Sequence, residues 1–185
     1  MKTESTPQRL DVRAFAESGE SLSGTLSLRS LDRLGTSLHG EAGGEIRWQT
    51  RGRIHQRLGA PEEVWLDLQV IAEVPMACQR CLDTVTVPVE IDRAFLFAAD
   101  EKAAAELDAE SDEDVLVLSR AFELAGLIED EILLALPIVP RHDTCPRPVP
   151  LSFDAEDAAD EDGPERPNPF AKLAALKKST PSSNE

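Results

Sequence analysis

The chain has 185 residues, 41% of them apolar and 29% charged, a balance that fits one globular domain with tails and excludes a large multidomain enzyme. Thirty-five Asp and Glu outweigh nineteen Lys and Arg for a formal charge of −16, a poor overall match to nucleic acid, which is held by neutralising phosphates with cations. The acid is unevenly spread: residues 1–60 carry a net of +2 and residues 61–185 a net of −18, so a polyanion is expected to meet the N-terminal part.

The opening MKTESTPQRL lacks the apolar stretch of a secretory leader, and the longest greasy run, Ile132 to Pro140, is too short to cross a bilayer. Three cysteines are an odd number for a disulfide framework. The expected setting is a reducing cytoplasm, where thiols stay free or bind metal, and no membrane contact is expected.

Residues 9–34 hold two short apolar patterns, Leu10, Val12, Ala14 and Phe15, then Leu22, Leu26, Leu28, Leu31 and Leu34. They predict a short helix, a strand starting around Thr25 to Leu28, and a short helix or turn; HGEAGG at 39–44 reads as a loop. From Glu45 to Arg57, Ile46, Trp48, Thr50, Gly52 and Ile54 alternate with Arg47, Gln49, Arg51, Arg53 and His55, the period of a strand with one face on a core. Val64 to Val74 and Val85 to Phe97 repeat the pattern. Connections this short favour antiparallel pairing, with Gly59-Ala60-Pro61 joining the first two strands and Pro75 to Asp83 the next two.

Residues 99–114 hold eight carboxylates and one Lys and read as a solvated loop or insertion. Val115 to Leu118 is a short apolar run, and Ser119 is placed to cap a helix through Leu136, ended by Pro137 and Pro140. On that helix Leu124, Leu127, Ile128, Glu131, Leu134 and Ala135 share helical spacing, and Glu129-Asp130-Glu131 reads as a solvated face with one inward carboxylate. After Pro150, DAEDAADEDGPERP carries seven carboxylates against one Arg, too few apolar groups to offset ordering entropy. The expected organisation is therefore an α+β core at 1–150, a disordered acidic linker at 151–167, a docking helix at 168–178 and a disordered tail at 179–185. The core is expected to be a twisted antiparallel, barrel-like sheet covered by one long helix. In the docking helix Asn168 and Pro169 cap the start, and Phe170, Leu173 and Leu176 form the greasy, partner-binding face.

Two constellations bear on chemistry. Cys78-Gln-Arg-Cys81 lies at an expected hairpin turn, where both thiols can bite one ion, and His142-Asp-Thr-Cys145 supplies two further donors. Together Cys78, Cys81, His142 and Cys145 fit a closed Cys3His zinc site with no ligand position left for catalysis; the alternative is that the cysteines are small packing residues and His142 caps a turn. Arg47, Arg51, Arg53 and Arg57 share one strand face and form a candidate RNA-binding surface, against which stands a solvated face neutralised by nearby carboxylates. The sequence holds no nucleophile elbow, phosphate loop or dinucleotide fingerprint, and the three adjacent helical carboxylates cannot converge on one substrate. The chain is expected not to be an enzyme.

The segments MACQRCLDTVTVPV, LIEDEILLALPIVPRHDTC and, after the acidic linker, RPNPFAKLAALKK occur in an order that resembles the bacterial YceD family, the large ribosomal RNA subunit accumulation proteins. The resemblance covers roughly residues 10–178 and rests on Cys78, Cys81, Leu82, Pro137, Pro140, His142, Cys145, Asn168, Pro169 and Phe170. It implies a role in synthesis, processing or stability of 23S rRNA without a known catalytic activity, and basic ribosomal proteins or the rRNA-processing machinery as partners. The arginine strand is no part of that resemblance.

Overall fold

Five strands, β1 (Ser21–Ser27), β2 (Glu45–His55), β3 (Glu63–Ala77), β4 (Thr84–Ala98) and β5 (Asp114–Val117), lie side by side in chain order. The computed structural model describes residues 9–40, 43–56, 58–59 and 61–146, all within one compact unit, Met1–Val149. The linker, the docking helix with Asn168, Pro169, Phe170, Leu173 and Leu176, the tail, and Arg57 lie outside the described residues. Among the described residues four α-helices, α1 (Val12–Ser18), α2 (Asp32–Ser37), α3 (Glu101–Asp108) and α4 (Leu124–Ala135), and a 3-10 turn at Leu28–Ser30 complete the α+β architecture.

β1 to β4 are antiparallel; the connections 56–62 and 78–83 are too short for a crossover, whereas β1 and β2 are joined by residues 28–44, which include α2. The sheet departs from expectation at its far edge, where β5 runs parallel to β4. A parallel partner needs a crossover, and α3 lies between the two strands in the chain, so 99–114 is an ordered connection rather than a solvated loop. EKAAAELD is built from good helix formers, and the Asp100 side chain accepts from the Ala103 N–H at 2.8 Å as its N-cap. The sheet does not close: β1 and β5 are its two edges, so the barrel-like expectation is replaced by an open sheet.

One face of the sheet carries the core. In register, Ile46, Ala72 and Val89 form one row, Trp48, Val70 and Ile91 the next, and Gly52, Leu66 and Phe95 another, all buried. No single long helix covers this face. Val12, Phe15 and Ala16 of α1, Leu28, Leu31 and Leu34 around α2, and Leu124, Leu127, Ile128 and Ile132 of α4 share the cover. Gly52 admits α1, since a Cβ there would lie 2.7 Å from Ala16 Cα and 2.8 Å from the Phe15 carbonyl oxygen.

Helix α4 starts at Leu124, not after Ser119, because residues 119–122 are committed elsewhere. Leu10 and Phe122 exchange both backbone hydrogen bonds at 2.9 Å, and the Ser119 carbonyl accepts from Val12. Two carboxylates of α4 turn inward rather than one, while Leu134 is exposed. Glu131 reaches Arg93, which stands on the core face between Ile91 and Phe95 and also pairs with Asp114. Glu129 points to α2, where its Oε1 accepts the N–H groups of Arg33 at 2.7 Å and Leu34 at 2.9 Å while Oε2 accepts from the Arg33 guanidinium. A carboxylate from a distant helix thus caps α2, whose own N-cap, Leu31, has no side chain for the task.

Candidate metal centre

The pairing of β2 with β3 stops at Ala72, so residues 73–77 of β3 and 84–88 of β4 run past β2 with only each other as strand neighbours. At the tip of this hairpin Cys78, Gln79, Arg80 and Cys81 make the turn. The Leu82 N–H donates to the Cys78 carbonyl at 2.9 Å with Leu82 left-handed at φ 63°, and the Cys78 N–H donates to the Asp83 carbonyl. Such a turn presents both thiols on one side. The segment after α4 folds back onto it: the Gln79 N–H donates to the Pro140 carbonyl at 2.8 Å. That places His142 and Cys145 beside the turn.

One donor atom from each of Cys78, Cys81, His142 and Cys145 lies within 4.8 Å of all the others. The Cys78 and Cys145 Sγ atoms are 3.9 Å apart, and Cys81 Sγ is 3.5 Å from His142 Nδ1. His142 Nε2 lies 3.1 Å from the Thr84 carbonyl oxygen. A carbonyl can only accept, so Nε2 carries the proton and the Nδ1 lone pair faces the thiols, the second contact that orients a ligating imidazole. Cys78 is fully buried and the other three are partly so.

Electrostatics favour a cation here. Burial acts to raise the Cys78 thiol, but N–H groups of Cys81, Arg80 and His142 turned on its sulfur bring it down to about 5. Cys81 is pushed up to about 11 by burial and by the neighbouring sulfurs of Cys78 and Cys145, against an N–H from Asp83. The N–H groups thus favour a thiolate at Cys78, while burial and the neighbouring sulfurs disfavour a second one at Cys81. The set can hold a metal ion.

The arginines are divided. Arg53 is engaged, its Nε 3.0 Å from Asp67 and its guanidinium stacked 4.6 Å over Trp65. Arg47 and Arg51 are exposed and make no ion pair with any described residue. Trp48 is buried on the opposite face, so it offers no stacking platform to a ligand on the arginine side. Sequence reading missed an apolar shelf, Ile138-Val139, in the segment just before the Cys3His donors His142 and Cys145. Leu82, Leu134, Ile138 and Val139 are exposed, Ile138 at 99%, and Val139 lines, with Val85, Val87, Pro137, Arg141 and His142, an open cavity of about 560 Å³. The signal was the run Pro137-Ile-Val-Pro140, two large apolar residues between prolines that forbid them a helical face.

A family profile described as large ribosomal RNA subunit accumulation protein YceD matches residues 66–177. The chain belongs to that family. A curated YceD protein of Haemophilus influenzae, called large ribosomal RNA subunit accumulation protein, is 30% identical over 109 residues, 59% of this chain and 63% of the relative. The chain thus aligns with less than two thirds of that YceD protein's length. No solved structure matches. The YceD match contains all four metal-cluster residues and begins after Arg47, Arg51 and Arg53. Among the described residues no helix is long and apolar enough to cross a membrane.

Proposed function

We propose that this YceD-family chain is a non-enzymatic cytoplasmic factor that supports 23S rRNA accumulation by holding a basic ribosomal protein or a component of the rRNA-processing machinery. Membership of the family over residues 66–177 carries the reading. The charge of −16 suits it, because an acidic body attracts a basic protein more readily than it grips RNA. Within that reading the Cys3His cluster binds Zn2+. A tetrahedral zinc with Zn–S of about 2.3 Å and Zn–N of about 2.05 Å implies donor separations of about 3.8 Å between sulfurs and about 3.6 Å from sulfur to nitrogen. Two of the six separations here are 3.9 Å, Cys78 to Cys145, and 3.5 Å, Cys81 to His142, and all lie within 4.8 Å. Four protein donors leave no open position, so the ion's work is structural, tying the hairpin tip to the segment that carries the Ile138 and Val139 shelf.

Deleting the gene is expected to lower 23S relative to 16S rRNA, with rescue by the wild-type chain. Normal 23S levels after deletion refute the reading. Charge on the exposed apolar residues, Leu134→Asp with Ile138→Asp, is expected to abolish pull-down of large-subunit proteins at unchanged melting temperature. Direct RNA contact is the second reading, favoured by Arg47 and Arg51, which are exposed and ion-paired to no described residue, beside the hydroxyl-rich β1. It predicts that Arg47→Glu with Arg51→Glu removes a salt-dependent RNA retention.

A further inference from the structure

We propose that two copies of the chain pair edge to edge through β1, in antiparallel register about Gly24, to form one continuous ten-stranded sheet. The argument begins with the hydrogen bonds β1 leaves over. The Gly52 N–H donates to the Glu20 carbonyl at 3.4 Å and the Leu28 N–H to the Gly44 carbonyl at 3.0 Å. With the register Ser21↔Arg51 to Ser27↔Glu45, these bonds place the even-numbered residues of β1 in the hydrogen-bonded pairs with β2. In antiparallel pairing the alternate residues then turn their N–H and C=O groups away. Ser21, Ser23, Thr25 and Ser27 thus face outward, and the only bond made there by a described residue is from the Ser30 hydroxyl to the Ser27 carbonyl.

Exposed edges of this kind are normally blunted by charge, proline or a bulge. β1 reads Ser-Leu-Ser-Gly-Thr-Leu-Ser, with no charge and no proline. It is also nearly the same in both directions, differing only by Ser23 against Thr25. An antiparallel strand of the same sequence therefore matches it residue for residue: Ser21 opposite the partner's Ser27, Leu22 opposite the partner's Leu26, Ser23 opposite the partner's Thr25, and Gly24 opposite itself on the two-fold axis. The outward groups of Ser21, Ser23, Thr25 and Ser27 fall in the hydrogen-bonded pairs of that register. Leu22 and Leu26 are half-buried and pack against the core, so their cross-strand pairs join the two cores across the axis. Moving the register by two residues sets Glu20 opposite the partner's Leu26, or brings in Leu28, which is fully buried and already in a 3-10 turn. Only the Gly24 register keeps both leucine pairs.

Seven residues on an edge make a small interface, so the dimer is expected to be concentration-dependent in the micromolar range. Light scattering or sedimentation of the full chain should show a mass rising from 20.2 kDa toward about twice that value with concentration. Ser23→Lys with Thr25→Lys sets like charges opposite one another on exposed side chains and should hold the chain as a monomer at unchanged melting temperature. Ser23→Glu with Thr25→Glu should do the same, and an equimolar mixture of the two variants should recover the doubled mass. A single-chain mass for the wild type at every concentration overturns the proposal, including the case in which this edge serves a different protein. So does a Lys variant that dimerises like the wild type.

Discussion

Glu129 shows how much one side chain carries. Burial opposes its charge, yet the Leu34 N–H, the Arg33 guanidinium and the Arg33 N–H hold its carboxyl below the ordinary carboxylate range. A depressed native value contributes stability that is present above the unfolded value, about 4.3, and is lost as pH falls through the native one. Glu129→Gln keeps an acceptor for the two N–H groups but loses the charge. It is expected to cost about 2 kcal/mol at pH 7, with the gap to wild type closing below about pH 4, as read from urea denaturation midpoints. Glu131 runs the other way. Burial raises its carboxyl, with Arg93 opposing and Asp114 and Asp130 assisting, so Glu131→Gln should gain stability relative to wild type as pH rises. Neither role was legible in Glu129-Asp130-Glu131 as a string. Spacing shows that the three diverge, but the partners Arg33 and Arg93 lie 96 and 38 positions away along the chain.

At the scale of elements, period-two alternation made β2, β3 and β4 readable, because one face of each meets the core and the other meets water. It also placed Trp48 inward. Elements whose burial is shared or brief were harder to read. β5 has one exposed and three half-buried residues and no alternation to show, and the eight-residue α3 hid in an acidic run although Asp100 and the Ala-rich sequence signal it. The start of α4 was misplaced because the pairing of Leu10 with Phe122 takes the residues that local capping rules would assign to a helix. Gly52 gives a test of the α1 packing. Its neighbours are backbone atoms, which cannot step aside as a flexible side chain can, so Gly52→Ala is expected to cost about 2–3 kcal/mol by the same denaturation measurement. A loss below about 0.5 kcal/mol would mean that α1 is not seated as described.

For the whole molecule, the four metal donors were legible as residue types and spacings, whereas their meeting depends on the return of 137–145 across the hairpin, which no local pattern encodes. The arginine strand was legible as a face but not as a divided one, because Asp67 and Trp65 reach Arg53 from the neighbouring strand. If the cluster binds zinc, elemental analysis of untagged protein should give about one ion per chain. Chelation or Cys78→Ser should then lower the melting temperature, by about 3–5 °C for each kcal/mol lost. Substoichiometric zinc, unchanged by Cys78→Ser, removes the ion from the account.

The overhang of β3 and β4 beyond β2 has a kinetic consequence. The amide hydrogens of residues 73–77 and 84–88, where Pro75 and Pro88 have none, need only one ladder to part before they meet solvent, whereas those of 64–72 lie between two ladders. Deuterium uptake should therefore be graded along the same two strands, fastest toward the cysteines, and the gradient should flatten when an ion is supplied. If the Cys3His cluster binds an ion, that ion fastens a two-stranded stretch of the sheet, and its loss should let the cysteine tip fray while the remainder stays folded.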